Sequence, residues 1–185
     1  MTNPRSAALF EQQVLCHLDV VYRLARHLAG HPHEAEDLVQ ETFLRAHRGF
    51  AQFELKSHGA KAWLLKILHN TFVNRLRQDA RSPSLTADLS LDDFAAELAH
   101  EPLPTLTPGQ IDWEGFDEEL KHAVGDLPVE YRSVLLLWAL GDLNYKEIAE
   151  VLSCAVGTVM SRLHRARQKL GAALGDYAKA RGIRA

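Results

Sequence analysis

The chain has 185 residues, 46% of them hydrophobic, which is enough for one ordinary domain or two small ones with packed cores. No apolar run approaches the roughly 20 residues of a membrane-spanning helix, and the N-terminus lacks the apolar stretch of a signal peptide. The net charge is −3, and the two cysteines, Cys16 and Cys154, have neither metal nor redox spacing. We therefore expect a cytoplasmic protein without membrane insertion, in which both cysteines are small buried residues.

The charge is distributed unevenly along the chain. Residues 1–81 hold 11 Lys/Arg and 8 Asp/Glu, and residues 120–185 hold 10 basic and 6 acidic side chains. Residues 82–119 hold 10 Asp/Glu and no Lys/Arg. Two mildly basic blocks therefore flank an acidic connector, an asymmetry that the total charge conceals.

The N-terminal block shows helical periodicity throughout. Apolar residues from Ala8 to Leu28 recur at helical spacing and predict a helix that stops at Gly30. Pro32 suits the first turn of a second helix, which is predicted to end at Gly49. A loop over 50–59 then leads to a third long helix over 61–78.

The second predicted helix has an apolar face and a mainly acidic face. Acid this close to a nucleic-acid-binding helix would repel phosphate, so the pattern favours a protein partner for this face. An ordinary solvated helix face is the alternative. The face carries Glu34, Asp37, Gln40, Glu41, Leu44 and Arg45, opposite the core positions Ala35, Leu38, Val39, Phe43 and Ala46.

The third predicted helix combines a buried stripe with a polar, basic row. Basic groups in such a row offset phosphate charge, amides can hydrogen-bond bases, and an aromatic ring can stack on an unpaired base. Trp63 could equally be a core residue, because tryptophan is highly buried on average. The row is formed by Trp63, Lys66, Asn70, Asn74, Arg77 and Arg81.

The remaining sequence predicts a linker and a second helical block. Residues 82–117 are acidic, rich in proline and poorly periodic, as expected of a linker. Beyond them, Asn144 and Glu147 form a potential capping box for a short helix over 145–152, and a tight turn over 153–155 precedes the last long helix. We therefore predict an all-α protein with two small domains, an N-terminal helical bundle (1–81) and a C-terminal helix-turn-helix domain (118–185).

The last helix has a continuous apolar seam and a free face rich in Arg, Ser and Thr. A short helix, a turn and a longer polar-faced helix are typical of a helix-turn-helix that enters the major groove. A solvated amphipathic helix is the alternative. The seam contains Val156, Val159, Leu163, Ala166 and Leu170, and the free face includes Thr158, Ser161, Arg162, His164 and Arg165.

No catalytic or metal site emerges from the sequence. His27, His31 and His33 are close together but lack the spacing of a metal site, so we interpret them as surface residues. Neither a nucleophile with a positioned base nor a phosphate-binding glycine loop is present. We expect a protein that is not an enzyme and that uses no cofactor or metal.

These motifs resemble the extracytoplasmic-function (ECF) sigma factors of bacterial RNA polymerase. Residues 33–50, HEAEDLVQETFLRAHRGF, are similar to the family's polymerase-docking helix, and residues 61–78, KAWLLKILHNTFVNRLRQ, to its promoter-melting helix. Residues 127–170 resemble its helix-turn-helix domain almost from end to end. KAWLLKILHNTFVNR also resembles the branch that zinc-containing anti-sigma factors control.

The resemblance implies partners and contact residues. It implies binding to core RNA polymerase, at the β′ clamp helices and the β flap, promoter-specific initiation, and an anti-sigma factor as regulator. The acidic linker is implied to enter polymerase channels, and the loop 52–59 to capture a flipped base. The implied contacts are Asp37, Leu38, Gln40, Glu41 and Leu44 for polymerase; Trp63, Lys66, Asn70, Asn74, Arg77 and Arg81 for the −10 element; and Thr158, Met160, Ser161, Arg162, His164 and Arg165 for the −35 element.

Two residues depart from the family pattern. Ala155 stands where Ser or Pro is common, so a side-chain N-cap is expected to be missing there. Met160 stands where Lys is frequent, which removes one possible phosphate contact.

Two other classes of protein remain as alternatives. A free-standing DNA-binding regulator explains the helix-turn-helix but not the row on the third helix or the acidic linker. A helical scaffold would show no DNA preference.

Overall fold

The computed structural model describes residues 4–53, 59–81 and 118–175, and within them all regular structure is helical. The predicted linker 82–117 lies outside the described residues. The helices of the first unit are α1 (Pro4–Gln13), α2 (Leu18–Ala29), α3 (Pro32–Gly49) and α4 (Gly59–Arg81). The helices of the second unit are α5 (Glu118–Gly125), α6 (Val129–Ala139), α7 (Tyr145–Leu152) and α8 (Val156–Ala173).

Glycine and proline set the junction between α2 and α3 as the sequence predicts. Gly30 adopts the left-handed conformation at φ 80° and its N–H donates to the carbonyl of Arg26, which closes α2. Pro32 occupies the first turn of α3, where its missing N–H has no helical partner to lose. Only residues 30 and 31 therefore separate the end of α2 from the start of α3.

The single helix predicted from Ala8 to Leu28 is wrong, because a 3₁₀ turn at Leu15–His17 divides it into α1 and α2. Val14 is fully buried just before the turn, whereas Leu15 and Leu18 are 42% and 44% exposed. The apolar residues keep helical spacing across the break, so periodicity alone did not reveal it.

Helices α2, α3 and α4 pack around the core of the first unit. Two threonines are buried within it, and each hydroxyl donates to the carbonyl four residues earlier, Thr42 to Leu38 at 2.7 Å and Thr71 to Ile67 at 2.8 Å. Both buried hydroxyls are thereby satisfied within their own helices. The largest fully buried side chains of this core are Leu24, Leu38, Leu64, Leu65 and Leu68.

Helix α6 is the centre of the second unit. Every residue from Ser133 to Leu140 is buried, as expected of a helix that is covered on all sides. α7 and α8 pack against it, and Val159, Leu163 and Ala166 of α8 are fully buried. α6 therefore supports the helix-turn-helix from behind.

The two units also pack directly against each other, which the sequence did not predict. Helix α4 contacts α7, and α2 contacts α5 and α6. Leu65 of α4 is fully buried, and the Nζ of Lys61 donates to the carbonyl of Asp142 at 3.2 Å. Among the described helices, none is both long and apolar enough to cross a membrane.

Candidate nucleic-acid interface

The α7–α8 pair has the local structure that the sequence predicts. The Asn144 side chain accepts from the backbone N–H groups of Lys146 and Glu147, and the Glu147 carboxylate accepts from the backbone N–H of Asn144 at 2.7 Å. This is a complete capping box. Ser153 closes α7 in the left-handed conformation at φ 53°. As expected, Ala155 provides no side-chain cap to α8.

Helix α8 presents the six predicted −35 contacts on its exposed side. Met160 and Arg165 are exposed, and the other four keep part of their surface accessible. The Ser161 hydroxyl donates to the Thr158 carbonyl at 3.0 Å, which leaves its oxygen able to accept. Contact of these residues with DNA stays a prediction. Val156, placed in the apolar seam by its spacing, is instead 36% exposed at the start of the helix.

Arg167 belongs to the packing of α8, although it lies within the basic run. Its guanidinium carbon lies 4.6 Å from the ring centroid of Trp138 on α6. Burial lowers its pKa, but an arginine in such a site stays charged and interacts with the face of the indole ring. Sequence reasoning missed this role, because Arg165 and Arg167 both adjoin the seam residue Ala166 and only tertiary packing places Trp138 beside Arg167.

Arg162 lies on the flank of α8 that faces the first unit. Its positive charge lowers the pKa of His69 on α4, after the larger effect of burial. It also acts on Cys154, where burial raises the thiol pKa and Arg162 partly opposes that rise. One predicted −35 contact is therefore close to the other unit.

The predicted −10 row lies along one side of the continuous helix α4. Asn70, Asn74 and Arg77 are exposed, and Lys66 is partly exposed. The side chain of Arg81 lies outside the described part of the chain, as do residues 54–58 of the predicted base-capturing loop. The exposed members form a polar and basic surface of the kind that single-stranded DNA binds.

Trp63 at the start of the row is only partly buried. Its ring centroid lies 4.4 Å from that of Phe53, and a Cβ at Gly49 would lie 3.6 Å from its Cζ2 atom. The tryptophan thus packs on the end of α3 and keeps part of its ring accessible. The packing contact agrees with the core interpretation in part, and base stacking by Trp63 stays a prediction.

The predicted polymerase-docking face on α3 is formed by fewer residues than expected. Asp37, Gln40 and Leu44 are exposed, Leu44 by 57%. Leu38 is 1% exposed, so its assignment to the contact surface is corrected: it faces α2 and α4 in the core. The family motif includes Leu38 because it is contiguous in sequence. On the helix, however, Leu38 lies on a different face from the exposed residues Asp37, Gln40 and Leu44.

Glu41 is the centre of an ion network that joins α3 to α4. Its Oε1 accepts from Arg45 at 2.6 Å and its Oε2 from Arg75 at 2.8 Å. Arg75 also donates to the carbonyl of Asp37 at 3.1 Å. These hydrogen bonds, that of Arg75 first, lower the pKa of Glu41. Sequence reasoning missed Arg75, because its partner lies 34 residues away along the chain.

Two further expectations concern metal and cysteine. Within the described ranges, the His, Cys, Asp and Glu side chains form no group of three that could hold a metal ion. Cys16 is exposed, so its prediction as a buried residue is wrong, and Cys154 is half-buried. Cys16 lies in the 3₁₀ turn that interrupts the predicted helix.

Comparison with known proteins agrees with this geometry. Residues 14–82 match the model of sigma-70 region 2, and residues 117–170 match that of sigma-70 region 4. The chain is 35% identical to the ECF RNA polymerase sigma factor SigE of Mycolicibacterium smegmatis over 87% of its own length, and it spans 60% of that relative. It is 30% identical to SigW of Bacillus subtilis, covering 85% of this chain and 84% of SigW.

A solved structure extends the comparison to three dimensions. The sigma factor RpoE of Bartonella quintana, in complex with the anti-sigma factor NepR, matches with a TM-score of 0.68 at 30% identity, over 90% of this chain and 96% of RpoE. CnrH in complex with CnrY shares the fold at 22% identity and a TM-score of 0.60. Both the sequence relatives and the fold lead to one assignment. The chain belongs to the ECF RNA polymerase sigma factors, which are transcription initiation factors and not enzymes.

Proposed function

We propose that this chain binds core RNA polymerase and directs it to promoters through two DNA-binding surfaces. The observation that carries the proposal is the presence of two separate polar and basic helix faces, one on α4 and one on α8, in a chain of this family. Residues 1–81 form the −10 unit and residues 118–185 the −35 unit, and residues 82–117 link them. The polymerase supplies the catalytic chemistry.

The −35 element is read by α8 in the major groove of duplex DNA. The side chain of Arg165 is exposed and takes no part in packing, so its guanidinium can donate hydrogen bonds to the acceptors of guanine. Thr158, Ser161 and His164 add hydrogen-bonding groups along the same side. The exposed thioether of Met160 offers an apolar contact that suits the methyl group of thymine.

The −10 element is held as a melted strand along α4. Melting costs about 1.4 kcal/mol per base-pair step, whereas one stacked base returns about 1–3 kcal/mol. Asn70 and Asn74 can bind base edges, and Lys66 and Arg77 can offset phosphate charge. These terms offset only part of the melting cost, so polymerase contacts must supply the rest.

Polymerase docking is assigned to the exposed side of α3, against the β′ clamp helices. Asp37, Gln40 and Leu44 are available for contact, and Glu41 adds a carboxylate fixed in place by two arginines. The second unit is assigned to the β flap. Tethering both units to one polymerase raises their effective concentration at the promoter, which compensates for the modest positive charge of each unit.

An anti-sigma factor is proposed as the regulator of this chain. The support is its likeness to RpoE, which was solved in complex with the anti-sigma factor NepR. The finer assignment, to the branch controlled by zinc-containing anti-sigma factors, is supported only by the amino-acid sequence of residues 61–75. A pull-down with candidate anti-sigma factors from each branch separates the two assignments.

In vitro transcription on a random promoter library, with start sites read by sequencing, tests the proposed function. Core polymerase with the chain should initiate at sites that share two sequence elements, and core polymerase alone should not. A chain that is folded by circular dichroism yet gives no start-site selection would refute the proposal. Stable homodimers that bind a palindrome without polymerase would instead support the free-standing regulator.

A further inference from the structure

A series of aromatic side chains leads from α1 to the start of α4. Phe10 of α1 is only 8% exposed, and its ring meets that of Phe50 edge-on, with 5.2 Å between centroids and 89° between planes. The ring of Phe50 lies 6.0 Å from that of Phe53 at 20°, and the ring of Phe53 lies 4.4 Å from that of Trp63 at 31°. Phe50, Phe53 and Trp63 thus form a ring stack, which Phe10 supports at its buried end.

Phe10 is held in place by a second ring contact. It meets the ring of His47, near the end of α3, at 5.3 Å and 79°. Aromatic pairs favour this edge-to-face geometry, so Phe10 fixes the end of α3 and the first ring of the stack together. The region 2 match begins at residue 14, so Phe10 lies outside the part of the chain that the family model accounts for.

The ring stack ends where the predicted −10 row begins. Trp63 is the first member of that row, and its ring packs on Phe53 while part of its surface stays accessible. An unpaired base can extend such a stack, because every base has a flat π face that an aromatic ring can cover. A ring that its neighbours already hold in position loses little freedom when a base binds, and affinity rises accordingly.

We propose that Phe10 of α1 is a positioning residue for the −10 strand, because it fixes Trp63 through the ring stack for stacking on one unpaired base. The inference rests on the proposed function. Phe10 is buried behind the stack, so it acts through Phe50 and Phe53 without touching DNA. α1 thereby becomes part of the apparatus that holds the melted strand. A purine offers the larger stacking face and should be preferred at this position.

Binding of a premelted −10 strand to the chain assembled with core polymerase tests the role of Phe10. The probe is a fork-junction promoter from the library experiment, with an abasic site placed at each unpaired position in turn. With the wild-type chain, the abasic site at the stacked position should lower affinity by about 5- to 150-fold, the effect of one lost base–aromatic stack. Phe10→Leu keeps an apolar side chain but removes the ring. It should lower affinity severalfold for the intact strand and leave affinity for that abasic strand unchanged.

Three further variants separate positioning from general stability. Leu28→Ala is the matched control, because Leu28 is a buried core residue of the same unit with no ring. It should lower the midpoint of thermal unfolding and leave the ratio of affinities for intact and abasic strands unchanged. Phe10→Tyr retains the ring and should retain the wild-type ratio. In a Trp63→Ala background, Phe10→Leu should have no additional effect on that ratio, since the two residues act on the same base.

Two outcomes would overturn the inference. One is a loss in Phe10→Leu that is equal for the intact and the abasic strand, which would leave Phe10 a structural role only. The other is wild-type affinity for both strands in a folded Phe10→Leu variant. Start-site selection by the wild-type chain is measured in parallel. If selection is intact, either outcome refutes the role of Phe10 alone, whereas a wild-type chain without selection refutes the proposed function.

A second variant covers the case in which Phe10→Leu fails to fold. Phe50 is half-buried and joins Phe10 to Phe53, so Phe50→Leu interrupts the same support at a less buried position. It should reduce affinity for the intact strand severalfold and spare the abasic strand. Equal affinities of Phe50→Leu and wild type for the intact strand would then contradict the inference.

Discussion

Individual residues in the two interfaces combine binding and structural roles to different degrees. Glu41 both faces a predicted partner surface and joins α3 to α4 through Arg45 and Arg75. Arg165 and Arg167 lie two positions apart on α8, yet one is exposed and the other packs on Trp138. Substitutions at this scale must therefore be designed in pairs that separate the two roles.

The first prediction separates docking from folding at Glu41. Glu41→Lys should greatly weaken polymerase binding, because it reverses a docking charge and places a third cation beside Arg45 and Arg75. Arg75→Ala removes only the ion pair that holds Glu41 in place. The loss of such a partly exposed ion pair should lower the unfolding free energy by about 1 kcal/mol. Affinity for core polymerase, measured for both folded variants, distinguishes the roles. Equal loss in both would show that Glu41 acts only through the network.

The second prediction concerns the two arginines of α8. Arg165→Ala should weaken binding to the −35 duplex by about 1–3 kcal/mol without lowering thermal stability. Arg167→Ala should instead lower the unfolding free energy by about 0.5–2 kcal/mol, because it removes the cation–π contact and buried stem. Duplex titrations and thermal unfolding of both variants check this. The reverse pattern would remove Arg165 from the proposed contacts.

At the scale of elements, helix ends were predictable wherever a local signal fixed them. Gly30, Pro32 and the Asn144–Glu147 capping box act through their own backbone geometry, and all three are found as predicted. The break at Leu15–His17 carries no such signal. The burial of Leu38 could be inferred from helical period, but the family resemblance favoured a contact role instead.

The third prediction concerns the uncapped start of α8. Ala155 has extended backbone geometry at φ −71° and ψ 150° and forms no side-chain cap. Ala155→Ser should raise the unfolding free energy by about 0.5–2 kcal/mol, because its hydroxyl can accept from an unpaired N–H of the first turn. Asn144→Ala, which removes an existing cap, should lower it by a similar amount. Chemical denaturation measures both, and an unchanged midpoint for Ala155→Ser would contradict the prediction.

At the scale of the whole molecule, the contact between the units was beyond the reach of sequence reasoning. Leu65 follows the same apolar period as the core leucines around it, so its pattern does not reveal that its neighbour is Gly141. The same holds for Arg75 and for Arg167, whose partners are fixed by tertiary packing. The candidate surfaces were thus predictable as helix faces, whereas the packing partners of Leu65, Arg75 and Arg167 were not.

The fourth prediction is a loss of stability in acid. Burial first, and then the charge of Arg162, lowers the pKa of His69 from 6.5 to about 4, and its buried Nδ1 has no hydrogen-bond partner in the described part of the chain. Between these pH values the unfolded chain binds a proton that the folded chain does not. Stability is therefore complete above pH 6.5 and falls by about 3 kcal/mol as pH falls to 4.

Unfolding measured at several pH values checks this against His69→Gln. The variant removes the titrating group, so its unfolding free energy should vary less between pH 6.5 and 4 than that of the wild type. Parallel pH curves for the two proteins would assign the acid effect to other groups.

The positions of the two native thiols have a practical consequence. Cys16 is exposed on the first unit, and Cys154 is half-buried on the second, where burial raises its thiol pKa. Cys16 should thus react first with a maleimide dye, and Cys154 later at higher pH. A donor and an acceptor fluorophore can be attached in sequence to the unaltered polypeptide, so energy transfer between them can report the distance between the two helical units in single molecules.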